Sequence, residues 1–402
     1  MSTPAGDPVT RARQLLRDRS GAQRVTNIEL FFDLVYVFAV TQLSHRLLPE
    51  PTVRTTLQTA LLLAMVWLVW AYTTWVTNWM DPERIEVRLL LVAAMLISLA
   101  MSAALPHAFA GWGWVVGTAY AVQQVGRSVF MVAALRGSPS LRRNYERILA
   151  WCVVSGAFAV AGGLVTGAGR DTLWVLAVAV DVTGGLTGFA TPGLGRSLTA
   201  DWTIEGGHFA ERCQAFILIA LGESIVIIGA TLSGMARVTA TSAAAFVVAF
   251  AGSVALWWLY FDRSAGASAE LIAASDDPGR LGRSAYHLIH PVMVAGIIVA
   301  AAGDEKILTF PSAAATGGSA ALNLGGPALF LAGHAAFKFV VWRVVPWTRL
   351  AGVAVLALLA LAAGTIAEIA LAACAAVVVA AVAAADRHVG RGLTRERSEP
   401  LT

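Results

Sequence analysis

Apolar runs, each ended by a short polar loop, repeat along the whole of this 402-residue chain, and one helix needs roughly 20 apolar residues to cross about 30 Å of hydrocarbon. Twelve such segments are read at 29–48, 57–79, 89–105, 112–135, 148–167, 172–190, 211–235, 240–261, 285–303, 325–342, 349–364 and 367–386. Residues 349–386 are one apolar run too long for a single helix at ordinary tilt, and Gly364-Thr365 is its natural break. The pattern predicts an all-α polytopic integral membrane protein of about twelve transmembrane helices.

An even number of spans puts both termini on one side, and the basic residues choose that side. Of 29 Lys and Arg, Arg46, Arg54, Arg170, Arg237 and Lys306 fall in loops of one side, while Arg127 and Lys338 fall within spans. The other 22 lie on the opposite side, which the positive-inside bias makes cytoplasmic. The expected location is the plasma (cytoplasmic) membrane with both termini inside.

Composition agrees, since 57% apolar and 13% charged residues with a mean hydropathy of +0.69 exclude a soluble domain of this size. The net charge of +4 follows from arginines in short loops and calls for no nucleic-acid partner. Cys152, Cys213 and Cys374 lie in apolar segments and read as small buried hydrophobes, not as a disulfide or metal set. The first apolar segment carries two acids and lacks a small-residue cleavage site, so no cleavable signal peptide is expected.

The halves read as a tandem repeat of six spans each, of the same orientation. The division is a cytoplasmic tail 1–27, a first six-helix repeat 28–190, a cytoplasmic linker 191–207, a second repeat 208–386 and a cytoplasmic tail 387–402. Aligning Glu29 with Glu211 sets Thr41 opposite Glu223, and makes the first and seventh helices equivalent partners.

Acids inside these runs are the candidate chemistry, because a charge at membrane depth costs on the order of 3 kcal/mol and persists where function needs it. Glu29 and Asp33 stand one turn apart in ELFFDLVYVFAVTQ at 29–42, and Glu223 stands near the middle of the seventh segment, flanked by Gly222 and Ser224. Tyr120, Gln123, Gln124 and Arg127 share one helix face, and Asp181 sits centrally in the sixth segment. Arg127 with Asp181 or Glu223 reads either as a buried ion pair that only fixes helix packing or as part of a functional site. One acid is then left without a partner, the electrostatics of a proton- or cation-handling site. Gly222 serves either close helix approach with Gly229 or room for an ion. Lys338 reads as a snorkelling side chain. His287 and His290 read as a helix start at the interface, and no HExxH or third ligand supports a metal.

At these residues the chain resembles the bacterial low temperature requirement protein A (LtrA) family. The resemblance rests on ELFFDLVYVFAVTQLS at 29–44, VRLLLVAAMLISLAMSAALPHAF at 87–109, HFAERCQAFILIALGESIVIIG at 208–229 and AYHLIHPVMVAGIIVAAAGDE at 285–305. It implies a polytopic membrane protein and marks Glu29, Phe32, Asp33, His208, Glu211, Arg212, Gly222, Glu223, His287 and His290. Cys213-Gln214-Ala215 departs from the phenylalanine-glycine-leucine usual there. The family name records growth in the cold and fixes no reaction.

The leading expectation is a channel or secondary transporter for a cation, proton or small solute. Glu29 and Asp33 would form its cytoplasmic mouth, Glu223 its central site, and Asp181, Arg127 and Gly222 would line the pathway. The alternatives are an intramembrane enzyme acting on a lipid or lipid-linked substrate through Asp33, His287 and His290, and a non-transporting membrane protein required for growth in the cold. No cofactor or metal is expected. Membrane lipids and a small ion or solute are the expected partners, and a homo-oligomer stays open. If the charge bias orients the chain, a membrane-impermeant thiol reagent labels a cysteine at residue 304 in intact cells and misses one at residue 143.

Overall fold

The computed structural model describes residues 15–18, 23–49, 51–202, 204–262 and 264–398. Arg11, Arg13, Arg19 and Arg263 of the loop count lie outside them. The order is α1 (Asn27–His45), α2 (Val53–Trp79), α3 (Ile85–Ala104), α4 (Gly113–Ala134), α5 (Pro139–Leu164), α6 (Ala168–Thr187) and α7 (Gly206–Ser233). After these come α8 (Ala240–Phe261), α9 (Ser264–Ala273), α10 (Pro278–Leu281), α11 (His290–Thr309), α12 (Gly317–Trp342), α13 (Trp347–Leu359) and α14 (Glu368–Ser398). A π-helical stretch, Gly282–Ile289, leads into α11.

Each of the twelve apolar segments is helical, and among the described residues nine helices are long and apolar enough to cross a membrane. The protein is therefore an all-helical polytopic membrane protein. The three segments beyond the nine have physical reasons. The stripe of Gln123, Gln124 and Arg127 lowers the hydropathy of α4, Arg170, Asp171 and Asp181 lower that of α6, and α13 is short. The long apolar run ends one helix before Gly364, whose φ of +86° takes the chain out of helical conformation.

Two compact units make up the chain, the first from residues 1–43, 57–216 and 269–283, the second from 44–56, 217–268 and 284–402. In the first, α4 packs along α3 and α5, and α5 along α6. Residues 15–18, expected to be part of a loose tail, are tied down there: Arg17 N donates to Trp79 O at 3.0 Å and Asp81 N to Leu15 O at 2.9 Å. In the second, α11 packs on α12, α8 on α14, and α12 on α13. The α11–α12 contact is backbone to backbone, since a Cβ at Gly296 would lie 2.5 Å from Phe330 N and one at Gly326 2.5 Å from Ala300 N. Reciprocal caps start α8 and α12: Thr239 Oγ1 accepts from Ser242 N and Thr316 Oγ1 from Ser319 N, both at 3.1 Å.

One boundary changes the chemistry. The sequence reading closes the ninth span at residue 303 and puts residues 303–306 in an external loop, whereas α11 continues to Thr309 and keeps Asp304 and Glu305 within the helix. Helical propensity carries the helix past its first acid, where hydropathy alone stops. The exposed turn comes later, at Ser312. With the termini inside, an impermeant thiol reagent is expected to label Ser312→Cys in intact cells and to reach Arg143→Cys only after permeabilisation. The reverse pattern would invert the orientation.

Candidate functional site

Glu29 and Asp33 are four residues apart on α1, and His208 and Arg212 four apart on α7, so each helix presents its pair on one face. All four are fully buried. The Arg212 guanidinium spans both acids, Nη1 donating to Glu29 Oε1 at 3.1 Å and Nη2 to Asp33 Oδ1 at 2.5 Å. Arg17 Nη2 donates to Glu29 Oε2 at 2.8 Å. Two arginines thus face two carboxylates, and the buried charge closes to zero, which low-dielectric surroundings demand.

His208 completes the cluster without adding charge. Its Nδ1 faces the Asn78 Nδ2 donor at 3.2 Å and so accepts. With Nδ1 accepting, Nε2 carries the proton and faces Glu29 Oε1 at 3.0 Å, with the Arg17 Nη2 donor packed 3.1 Å from the same nitrogen. The Asn78 amide is itself fixed, accepting from Glu205 N at 2.8 Å and donating to Glu205 O at 2.9 Å. From α2, Trp70 Nε1 donates to Asp33 Oδ1 at 2.8 Å and Thr77 O accepts from Arg17 Nε at 2.7 Å. Phe32 and Trp70 place their rings 5.9 Å from the Arg212 guanidinium carbon, a cation–π arrangement on a group with no water to lose to. Asp33 Oδ2 is buried without a hydrogen-bond partner.

The family-marked residues therefore divide. Glu29, Phe32, Asp33, His208 and Arg212 converge in the first unit. Glu211 points outward on the same helix, where its carboxylate accepts from Val25 N at 3.2 Å. Gly222, Glu223, His287 and His290 belong to the second unit. His290 is engaged at both nitrogens, with Nδ1 donating to Ala285 O at 3.2 Å and Nε2 accepting from Tyr260 Oη at 2.8 Å. His287 is partly buried in the π-helical stretch.

The expected direct pairing of Arg127 is corrected. Arg127 donates to Gln124 Oε1, to Thr73 Oγ1 at 3.2 Å and to Val69 O at 3.3 Å. Asp181 accepts from Tyr120 Oη and, at 2.6 Å, from Gln124 Nε2. The Gln124 amide stands between them, oxygen toward the arginine and nitrogen toward the acid. Among the described residues no ion pair joins Arg127 to Asp181, the expected acid of its own unit.

Close approach does not explain Gly222 either, because a Cβ there or at Gly229 would meet no atom within 4 Å. Lys338 does more than snorkel, its Nζ lying 3.3 Å from Asp386 Oδ2, which Arg349 also holds at 2.5 Å. Glu223 is buried, and Ser224 beside it lines a small cavity with Ser253, Asp304 and Asn323. Among the described residues no three His, Cys, Asp or Glu side chains converge to hold a metal ion.

Sequence reasoning missed Arg17, counted only as a tail charge, and Trp70, Thr77 and Asn78, although the polar run TTWVTN at 73–78 in an apolar helix was a signal. Asp304 was missed because its helix was ended too early.

A family model described as bacterial low temperature requirement A protein (LtrA) matches residues 24–384. A protein of Rhizobium meliloti (strain 1021), itself named as uncharacterized, is 36% identical over 346 residues, covering 85% of this chain and 84% of its own. No solved structure matches the chain.

Removing Arg212 leaves Glu29 to Arg17 and strands the buried Asp33, so Arg212→Met is expected to cost about 3–5 kcal/mol, read as a lowered melting temperature of the purified protein. Adding Asp33→Asn should recover part of the loss, because the stranded charge is gone. Arg127→Met, whose direct partners are an amide, a hydroxyl and a carbonyl, should cost less. Strict additivity of Arg212→Met with Asp33→Asn would contradict the fork.

Proposed function

The chain belongs to the bacterial low temperature requirement A family, and from that premise we propose that it is a transport protein of the cytoplasmic membrane, passing a cation, a proton or a small solute by means of intramembrane carboxylates. The observation that carries this reading is Asp304. It lies within the membrane-spanning helix α11, on a small, largely apolar cavity that Ser224, next to Glu223 on α7, also lines, and no ion pair or side-chain hydrogen bond engages it among the described residues. A protein that only packs helices has no use for an unneutralised acid there.

In this reading Glu223 and Asp304 serve the permeating species. Glu29 and Asp33, held by Arg17 and Arg212, form a closed charge cluster at the arginine-rich end of their helices. Asp181, Gln124 and Arg127 form a second relay of polar contacts within the first unit. Both termini face the cytoplasm, and the spans are organised as two six-helix repeats of the same orientation.

Flux from liposomes containing the purified protein is the test, with potassium, sodium, protons and a small panel of organic solutes. Glu223→Gln and Asp304→Asn keep volume while removing a charge, so both are expected to fold and to lose flux or its pH dependence between pH 5 and 8. Wild-type rates in both variants would overturn the reading.

A further inference from the structure

The cavity in the second unit measures about 30 Å³ and is lined by α7, α8, α11, α12 and α14. About 10–15 Å³ suffices for one water, so it admits one or two water-sized bodies and excludes an organic solute. Its polar lining is Ser224, Ser253, Asp304 and Asn323, and the rest of its wall, Pro327 included, is apolar. Ser224 and Ser253 are 2% and 5% exposed. Asn323 is 6% exposed, and its Nδ2 has no partner, so no hydrogen bond from that end holds the amide oxygen away from the cavity. Pro327 sits inside α12 and has no N–H, so the carbonyl of Asn323, four residues earlier, is released from the helical ladder. The neighbouring acid Glu305 lies 3.7 Å from His45, which leaves Asp304 as the carboxylate of the cavity.

We propose that this cavity binds one dehydrated alkali-metal cation, held by the Asp304 carboxylate, the Ser224 and Ser253 hydroxyls, and the amide oxygen and freed main-chain carbonyl of Asn323. Every donor is a hard oxygen, the ligand type such ions take. One carboxylate carries one negative charge. A monovalent ion closes it, whereas a divalent ion leaves a surplus positive charge in a low-dielectric interior. The backbone oxygen is available because the proline interrupts the ladder, and irregular backbone at membrane depth is tolerated where it lines such a site.

This site deepens the transport reading and rests on it for its physiological role, but its test is binding and not flux. The purified full-length protein in detergent is melted in choline chloride, with sodium, potassium or lithium chloride substituted at constant ionic strength. At least one alkali cation is expected to raise the melting temperature saturably, as a ligand specific to the native state does. Asp304→Asn should abolish the shift, and Asn323→Leu should weaken the apparent affinity about tenfold or more. No shift in the wild type, or a full shift in Asp304→Asn, would overturn the proposal. Should Asp304→Asn fail to fold, Ser253→Ala and Asn323→Leu decide by equilibrium binding of radioactive sodium, unchanged affinity in both overturning the site. Flux without a cation-induced shift would overturn the site and leave transport standing. A shift that Asp304→Asn removes, with no flux of any solute, would keep the site and overturn transport.

Discussion

One guanidinium organises the first unit. Arg212 reaches Glu29 and Asp33 together; Arg17 shares Glu29, whereas Asp33 has Arg212 as its counter-charge. The fork geometry needs the acids one turn apart on α1 and the arginine at the matching height on α7, which explains why both helices carry a polar pair at i and i+4. His208, Asn78, Thr77 and Trp70 then fix orientation without disturbing the charge balance. Because buried ion pairs gain little over well-packed apolar residues, such a cluster serves register and a particular arrangement of helices more than raw stability.

The second unit contains the opposite situation. Around Asp304 the lining supplies oxygens and no counter-charge, and Pro327 adds a carbonyl that the helix no longer uses. Where charges close, as at Arg212, the structure is locked. Where one charge is left over, a mobile ion has something to answer, and that asymmetry between the two kinds of carboxylate is the physical basis of the transport reading.

Helix positions were legible in the sequence because apolar runs of span length dominate it, and Gly364 marked the one ambiguous break. Glu29 and Asp33 were legible as residues out of place in such a run, and His208 and Arg212 only through the family resemblance. Their pairing was not, since Arg212 lies 183 and 179 residues from the two acids it holds, and no local spacing encodes a contact of that range. The reading of Arg127 went astray because an amide can stand between opposite charges and satisfy both, so charge counting alone overstates direct pairing. Asp304 was hidden by treating the first acid after an apolar run as the end of the helix.

The central claim, that Glu29 and Asp33 are neutralised in place whereas Asp304 is not, is tested most directly by chemical modification. A hydrophobic carbodiimide such as dicyclohexylcarbodiimide reacts with membrane-embedded carboxyl groups that no cationic side chain holds, because the reaction consumes the protonated form and an ion pair disfavours protonation. Peptide mass spectrometry of the protein treated in membranes is expected to find the adduct at Asp304 and none at Glu29 or Asp33. An adduct at Glu29 or Asp33 with Asp304 unmodified would contradict the claim.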